Sequence, residues 1–402
     1  MNLLPIRPLI KYMKIFSYQY QALLCLIMIN YHYPAQAYPA QHELFGLNES
    51  MVQVWSTYPN GVTGTGSGVV IQKNLVATDC HVFADAEGVN VVKYFQTYSP
   101  IAVYADWKHD LCILKFDNLP LPAVKMRPSK NLSYEEAVFS LTFPNDNPVP
   151  LPSYGNVKAL YPFEGGNIIR MSAAFTVGSS GGALFDLNFN LIGITTFKSP
   201  GRREGYYYCL PTEWIVALLN QPSQENLISS SAPFWSLPDH EKPYFMQVVL
   251  PLQNKDWKAM QDISKLWISK EEGNADAWYY LALSYSKAEK LTEAKIYFKK
   301  ALKLNVNHFD SLVELIEIAV IEKNNNEFME ALGQLSKIDP DRAAYILKNQ
   351  GEAVNGAPEE IRTPDHLVRS QVLYPAELRA RHQYYILKTY RLTSCSIREA
   401  LI

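Results

Sequence analysis

Thr176-Val177-Gly178-Ser179-Ser180-Gly181-Gly182-Ala183-Leu184-Phe185 sets a serine among glycines and runs on into an apolar, strand-like segment. Glycine lets a backbone turn sharply and come close to a ligand. A serine on such a turn can point its hydroxyl outward while neighbouring N–H groups converge on one point. Attack on a carbonyl needs that pairing, a nucleophile beside an oxyanion hole. Alone, such a run is most often an ordinary turn, so the reading depends on a base and an orienting acid elsewhere in the chain.

Both candidates lie upstream. Leu75-Val76-Ala77-Thr78-Asp79-Cys80-His81-Val82 is a short apolar run ending in a histidine, and His109-Asp110-Leu111-Cys112-Ile113-Leu114 places an aspartate at the mouth of an apolar strand. Singly, each reads as a structural histidine and a strand-end cap. Together they give the chain order His81, Asp110, Ser180, which is that of chymotrypsin-type barrels and not of α/β-hydrolases or subtilisins. The surroundings are strand-rich from Met51 to about Leu219. Gly68–Ile71, Asn90–Phe95, Leu111–Phe116, Ala137–Leu141 and Leu191–Thr196 are apolar or alternating runs punctuated by Pro, Asn, Asp and Gly, an all-β barrel or sandwich signature. Gly64-Thr65-Gly66-Ser67-Gly68 opens a strand; without a following Gly-Lys-Ser/Thr it is no phosphate loop.

On these residues the chain resembles trypsin-like serine proteases, and within them the bacterial Deg/HtrA-type branch. The resemblance covers roughly residues 51–216. It rests on Gly66-Ser67-Gly68-Val69-Val70-Ile71, Ala77-Thr78-Asp79-Cys80-His81-Val82, Asp110–Lys115, Gly178–Leu184 and Leu191–Thr196. It implies two six-stranded antiparallel barrels with a triad between them. Ser180 would be the nucleophile, His81 its general base, Asp110 the group that fixes the imidazole tautomer, and the N–H groups of Gly178 and Ser180 the oxyanion hole. Neither a metal nor a cofactor is called for. Thr196 falls where the family places a strand residue near the buried Asp and the substrate backbone, and its hydroxyl is a candidate partner of Asp110.

Two departures from the pattern are informative. Ser179 stands where trypsin carries the acidic residue that pairs with a new N-terminus, so that activation route is closed. Ala174, six residues before Ser180 at the base of the primary specificity pocket, carries no charge. A small or medium apolar residue before the scissile bond is expected, with Thr196 and Phe197 also bordering the substrate. Cys80 adjoins His81 and Cys112 lies two residues beyond Asp110, so a triad brings them close. They are read either as a disulfide or as two buried thiols acting as small apolar residues, with Cys209 left over.

The rest of the 402-residue chain divides by composition. Net charge is −2 with no basic run, which argues against nucleic acid as the main partner. Residues 1–37 read as a signal peptide, with an apolar core at Ala22–Ile29 and a small-x-small site at Ala35-Gln36-Ala37. That predicts a periplasmic or secreted protein with no stable membrane anchor after cleavage; an uncleaved anchor is the alternative. The protease-like domain is placed at 45–220. A Gln/Pro/Ser/Asn-rich linker follows at 221–243, in which Phe234-Trp235 is an aromatic pair suited to docking on one domain. From 244 to 340 the period turns helical. Trp278, Leu281, Ala282, Tyr285, Ala294, Phe298 and Ala301 fit the tetratricopeptide pattern, and a looser copy follows at Leu315, Ala319, Phe328, Leu332 and Pro340. Such repeats either bind a peptide or protein partner on a concave face or merely cap the protease. A tail at 341–402 closes the chain. Its stretch from about 355 resembles an accidental translation of an antisense tRNA gene. The expected function is an exported serine endopeptidase acting on protein or peptide substrates through an acyl-enzyme; the rival is a catalytically silent, protease-like binding protein acting through its repeats.

Overall fold

The structure, a computed structural model, describes residues 38–200, 205–225 and 229–353. The expectations placed on 1–37 and on the stretch from about 355 lie outside the described residues.

Seven strands form the first sheet: β1 (Met51–Thr57), β2 (Thr63–Gln72), β3 (Leu75–Asp79), β4 (Gly88–Lys93), β5 (Gln96–Tyr98), β6 (Ala102–Asp106) and β7 (Leu111–Lys115), in the order β5-β4-β1-β2-β3-β7-β6. β4 alternates half-buried and buried residues along its length, as a strand with one face on the core must. The run read as one strand over Asn90–Phe95 breaks at Lys93. Tyr94 and Phe95 both take positive φ, 49° and 64°, and join β4 to β5 as a two-residue hairpin turn. Positive φ at both central residues matches strand twist, and here two exposed aromatics adopt it. The outer edge of β6 is covered by Gln224, which exchanges two backbone hydrogen bonds with Val103.

The second sheet holds β8 (Lys125–Met126), β9 (Ala137–Thr142), β10 (Leu151–Phe163), β11 (Gly166–Met171), β12 (Gly182–Asp186), β13 (Asn190–Pro200) and β14 (Gly205–Pro211). Its order is β12-β9-β10-β11-β14-β13-β8, and β12 also pairs with β13, which closes six strands into a barrel and removes their edges. Each sheet thus has six longer strands and one short extra, β5 or β8. The first sheet keeps β5 and β6 as its end strands.

Past α1 (Thr212–Leu219) the chain reaches two short helical turns, Tyr244–Gln247 and Val249–Asn254, and then six helices. These are α2 (Trp257–Lys270), α3 (Ala275–Lys287), α4 (Leu291–Leu304), α5 (Phe309–Ile321), α6 (Asn325–Ile338) and α7 (Pro340–Ala353). Side-chain caps start four of them: Asp256, Asn274, His308 and Asn324 each accept a hydrogen bond from the first turn, satisfying orphan N–H groups. Positions 274 and 308 are one 34-residue period apart. Ala294, Phe298 and Ala301 of α4 are buried against α3, small residues alternating with one large ring so that the hairpin closes tightly.

Helices and second barrel share one core. Tyr161 of β10 stacks on Phe245 at 4.2 Å, and Tyr208 of β14 lies 5.6 Å from the same ring. Beside this aromatic block Arg170 of β11 is buried. Its guanidinium covers the Tyr206 ring at 4.5 Å, with Nη1 3.7 Å from Asp276 and Nη2 3.5 Å from Asp310, both helical-domain carboxylates. No helix among the described residues is long and apolar enough to cross a membrane.

Candidate active site

β3 pairs with β7 so that Asp79 faces Leu111 and Thr78 faces Cys112. That register brings the residues just past β3 and just before β7 to the same edge. There the chain turns through Cys80–Val82, and Asp110 sits in the left-handed region at φ 63°. Cys80 N–H donates to the Asp110 carbonyl at 3.1 Å. His81 Nδ1 is 2.6 Å from Asp110 Oδ2, and the His81 backbone N–H donates to Asp110 Oδ1 at 2.8 Å. Nδ1 beside a carboxylate carries the proton, which leaves Nε2 to act as the base.

The serine loop joins β11 to β12 and is clamped from the first sheet. Ser67 N–H donates to the Ser180 carbonyl at 2.7 Å, and Ser67 Oγ donates to the Gly178 carbonyl at 2.8 Å. Thr195 Oγ1 donates to the Ser179 carbonyl at 2.6 Å, and Ser179 Oγ lies 3.0 Å from Thr142 Oγ1. Gly178 and Gly181 take φ of 86° and 82°. A Cβ at Gly181 would sit 2.2 Å from Ser67 O and from Thr78 Oγ1, and one at Gly178 2.5 Å from Phe143 O. Only glycine fits either place.

Asp79 links the two halves. Its Oδ2 accepts from Gly181 N–H at 3.0 Å and lies 3.8 Å from His81 Nδ1, so the imidazole stands beside the residue that follows Ser180. Thr196 of β13 donates its hydroxyl to Asp110 Oδ2 at 3.2 Å, and its carbonyl lies 3.4 Å from Ser180 Oγ. His81, Asp110, Ser180, Gly178 and Thr196 therefore come together, all buried. Ala174 is exposed, in the segment leading to the loop. Phe197 does not line the cleft. It lies where the β13–β14 register shifts between Thr195 and Lys198, and its ring turns into the core. Phe197 is 0% exposed and stacks on Tyr208 at 4.7 Å.

Two residues at this site escaped the sequence reading of chemistry. One is Asp79, which stands in the run Leu75–Val82 with no role assigned to it. The other is Trp235, from the stretch read as a linker. Its indole N–H donates to Asp110 Oδ2 at 3.0 Å, and its ring stands edge-on to the His81 ring at 5.8 Å. The only signal was a pair of large aromatics in a polar stretch.

Cys80 and Cys112 form a disulfide, and Cys209 is a buried free thiol. Burial, with the Asp79 carboxylate adding to it, pushes that thiol well above its usual range, which makes it an inert apolar residue. The disulfide ties the His81 turn to β7 across a 32-residue separation. By chain entropy it contributes about 3–4 kcal/mol. Urea unfolding with and without reductant is expected to show a fall of that size; superposable curves, with both thiols reduced, would refute the assignment.

Residues 66–194 match the trypsin-like peptidase domain family, and residues 275–308 the tetratricopeptide repeat family. The chain carries a trypsin-like peptidase domain. The domain aligns with probable periplasmic serine endoproteases described as DegP-like. The protein of Pseudomonas putida is 27% identical over 188 residues, covering 41% of this chain and 36% of that protein; the protein of Rickettsia conorii is 27% identical over 176 residues, covering 41% and 35%. The chain thus spans about a third of the length of these curated relatives. Among solved structures, the Rv3671c protease from M. tuberculosis aligns at 19% identity and TM-score 0.42, covering 48% of this chain and 92% of that one. The serine endoprotease from Yersinia pestis aligns at 24% and 0.40, covering 46% and 66%. The peptidase domain here is followed by helical repeats.

Proposed function

We propose that this chain is an exported serine endopeptidase working through Ser180, His81 and Asp110. The observation that carries the reading is the Asp110 carboxylate holding His81 Nδ1 at 2.6 Å beside the clamped Ser180 loop. His81 Nε2 takes the proton of Ser180 as the hydroxyl attacks the substrate carbonyl. The N–H groups of Gly178 and Ser180 receive the oxyanion, an interaction that strengthens as charge develops. The imidazolium, steadied by Asp110, gives the proton to the leaving amine, and water then hydrolyses the acyl-enzyme by the same route in reverse. The names of the DegP-like relatives support a periplasmic or secreted location, and the helical repeats support a protein or peptide partner.

Ala174 puts no charge at the position read as the base of the specificity pocket, so cleavage is expected after small or medium apolar residues. Profiling a peptide library by mass spectrometry checks this. Predominant cleavage after Lys, Arg or Glu would overturn the pocket assignment. Cleavage of nothing by the folded full-length protein would count against the peptidase reading.

A further inference from the structure

We propose that Trp235 is a positioning residue of the triad: its indole N–H completes the set of donors that fix the Asp110 carboxylate, so that the segment leading into the helical domain holds part of the active site. The proposal rests on the reading of Ser180, His81 and Asp110 as a triad.

Asp110 receives four hydrogen bonds. The His81 backbone N–H reaches Oδ1, while His81 Nδ1, Thr196 Oγ1 and Trp235 Nε1 all reach Oδ2. Three of these donors converge on Oδ2, so the carboxylate oxygen that faces His81 Nδ1 is the one they fix. Three of the four donors lie on the two sheets or on the turn Cys80–Val82 that follows β3. The fourth comes from outside them, and an indole N–H can only donate, which gives the contact one sense.

The turn Phe234–Ser236 that carries the tryptophan is fastened to the loop that carries Asp110. Phe234 N–H donates to the Lys108 carbonyl at 2.8 Å. The Phe234 ring is inserted among Phe163, Phe197 and Trp214, at 5.3, 5.7 and 6.2 Å. Both aromatics are 1% exposed. The indole and His81 rings meet at 88°, 5.8 Å apart, a packing that suits an aromatic pair. This is more than a linker needs to do; a tether could be fastened by Phe234 alone.

The consequence is chemical. Each neutral donor on Asp110 shares its negative charge and locks its orientation. Loss of one donor leaves more charge facing His81 Nδ1 and a looser carboxylate. The ionisable groups facing His81 are Asp110 and Asp79, at 2.6 and 3.8 Å. The nearby Asp106, Lys108, His109 and Glu164 are bonded to one another. Removing the indole N–H is therefore expected to raise the pH at which His81 titrates and to lower kcat.

The test uses the full chain and Trp235→Phe, which keeps a ring and removes only the donor. Titration of the His81 imidazole is followed by nitrogen-15 NMR, alongside kcat and KM on a cleaved peptide. We expect the His81 titration to move to higher pH and kcat to fall about tenfold, with KM unchanged. A merely structural role would lower thermal stability and leave both the titration and kcat in place, which overturns the proposal while leaving the peptidase reading intact. If the wild type cleaves nothing but its His81 titration still moves in the variant, the contact stands and the peptidase reading fails. If neither activity nor shift is seen, both fail. Should Trp235→Phe not fold, the wild type alone decides: the Trp235 indole N–H resonance is expected to shift with the His81 titration, and an indole resonance flat across that range refutes the coupling.

Discussion

Ser180→Ala is expected to lower kcat about 10⁶-fold, the loss typical of removing the nucleophile from a triad that works as a unit. A residual rate of about 10³–10⁴ over water would come from the oxyanion hole and substrate binding. The fold is not expected to move. Ser180 is held through its backbone, by Ser67 N–H on its carbonyl, and the loop through Gly181 N–H on Asp79 and Ser67 Oγ on Gly178; none of these uses the hydroxyl. The result is read as peptide hydrolysis by protein with an unchanged unfolding midpoint. Activity within tenfold of wild type would mean that another group attacks the substrate.

Arg170→Met is expected to destabilise the protein by about 3–5 kcal/mol, because breaking a buried pair leaves the remaining charge uncompensated. Arg170 is 2% exposed and faces Asp276 and Asp310 across the contact between barrel and helices. Methionine keeps most of the volume, so the loss is electrostatic and not a cavity. Burial pushes the Asp276 carboxyl up, but the Arg170 guanidinium and then His308 outweigh it, and the group ends below its usual range. A depressed carboxyl stabilises the fold fully above its unfolded value near 4, and that stability is lost as the pH falls through the folded value. Wild type should therefore weaken below about pH 4, and the part of that weakening due to Asp276 should vanish in Arg170→Met. Urea unfolding across pH checks both statements. A variant as stable as wild type at pH 7 would mean that the aromatic block of Tyr161, Phe245 and Tyr208 suffices to dock the helices.

Much of this architecture is legible in the sequence because local pattern and tertiary role agree. Alternation and turn residues mark the strands, the 34-residue period marks the helical hairpins, and Gly178 to Gly182 marks a loop where a side chain would collide with backbone. The resemblance pairs His81 with Asp110, and the register of β3 against β7 is the physical means. Other features are not local. The hairpin turn at Tyr94-Phe95 lacks the usual Asn-Gly chemistry, so the run Asn90–Phe95 reads as one strand. Phe197 sits at a position that borders substrate in the resemblance, yet here Phe234 and Tyr208 pack on its ring. Trp235 is the clearest instance. Its partner lies 125 residues away, and nothing in the Pro/Ser-rich stretch around it announces a carboxylate.

The central claim is that Ser180 is an activated nucleophile. Full-length protein treated with a fluorophosphonate and digested for mass spectrometry tests it most directly. The account predicts a single phosphonylated residue, Ser180, with labelling abolished in His81→Ala. Labelling of a different serine, or none on folded protein, would contradict it.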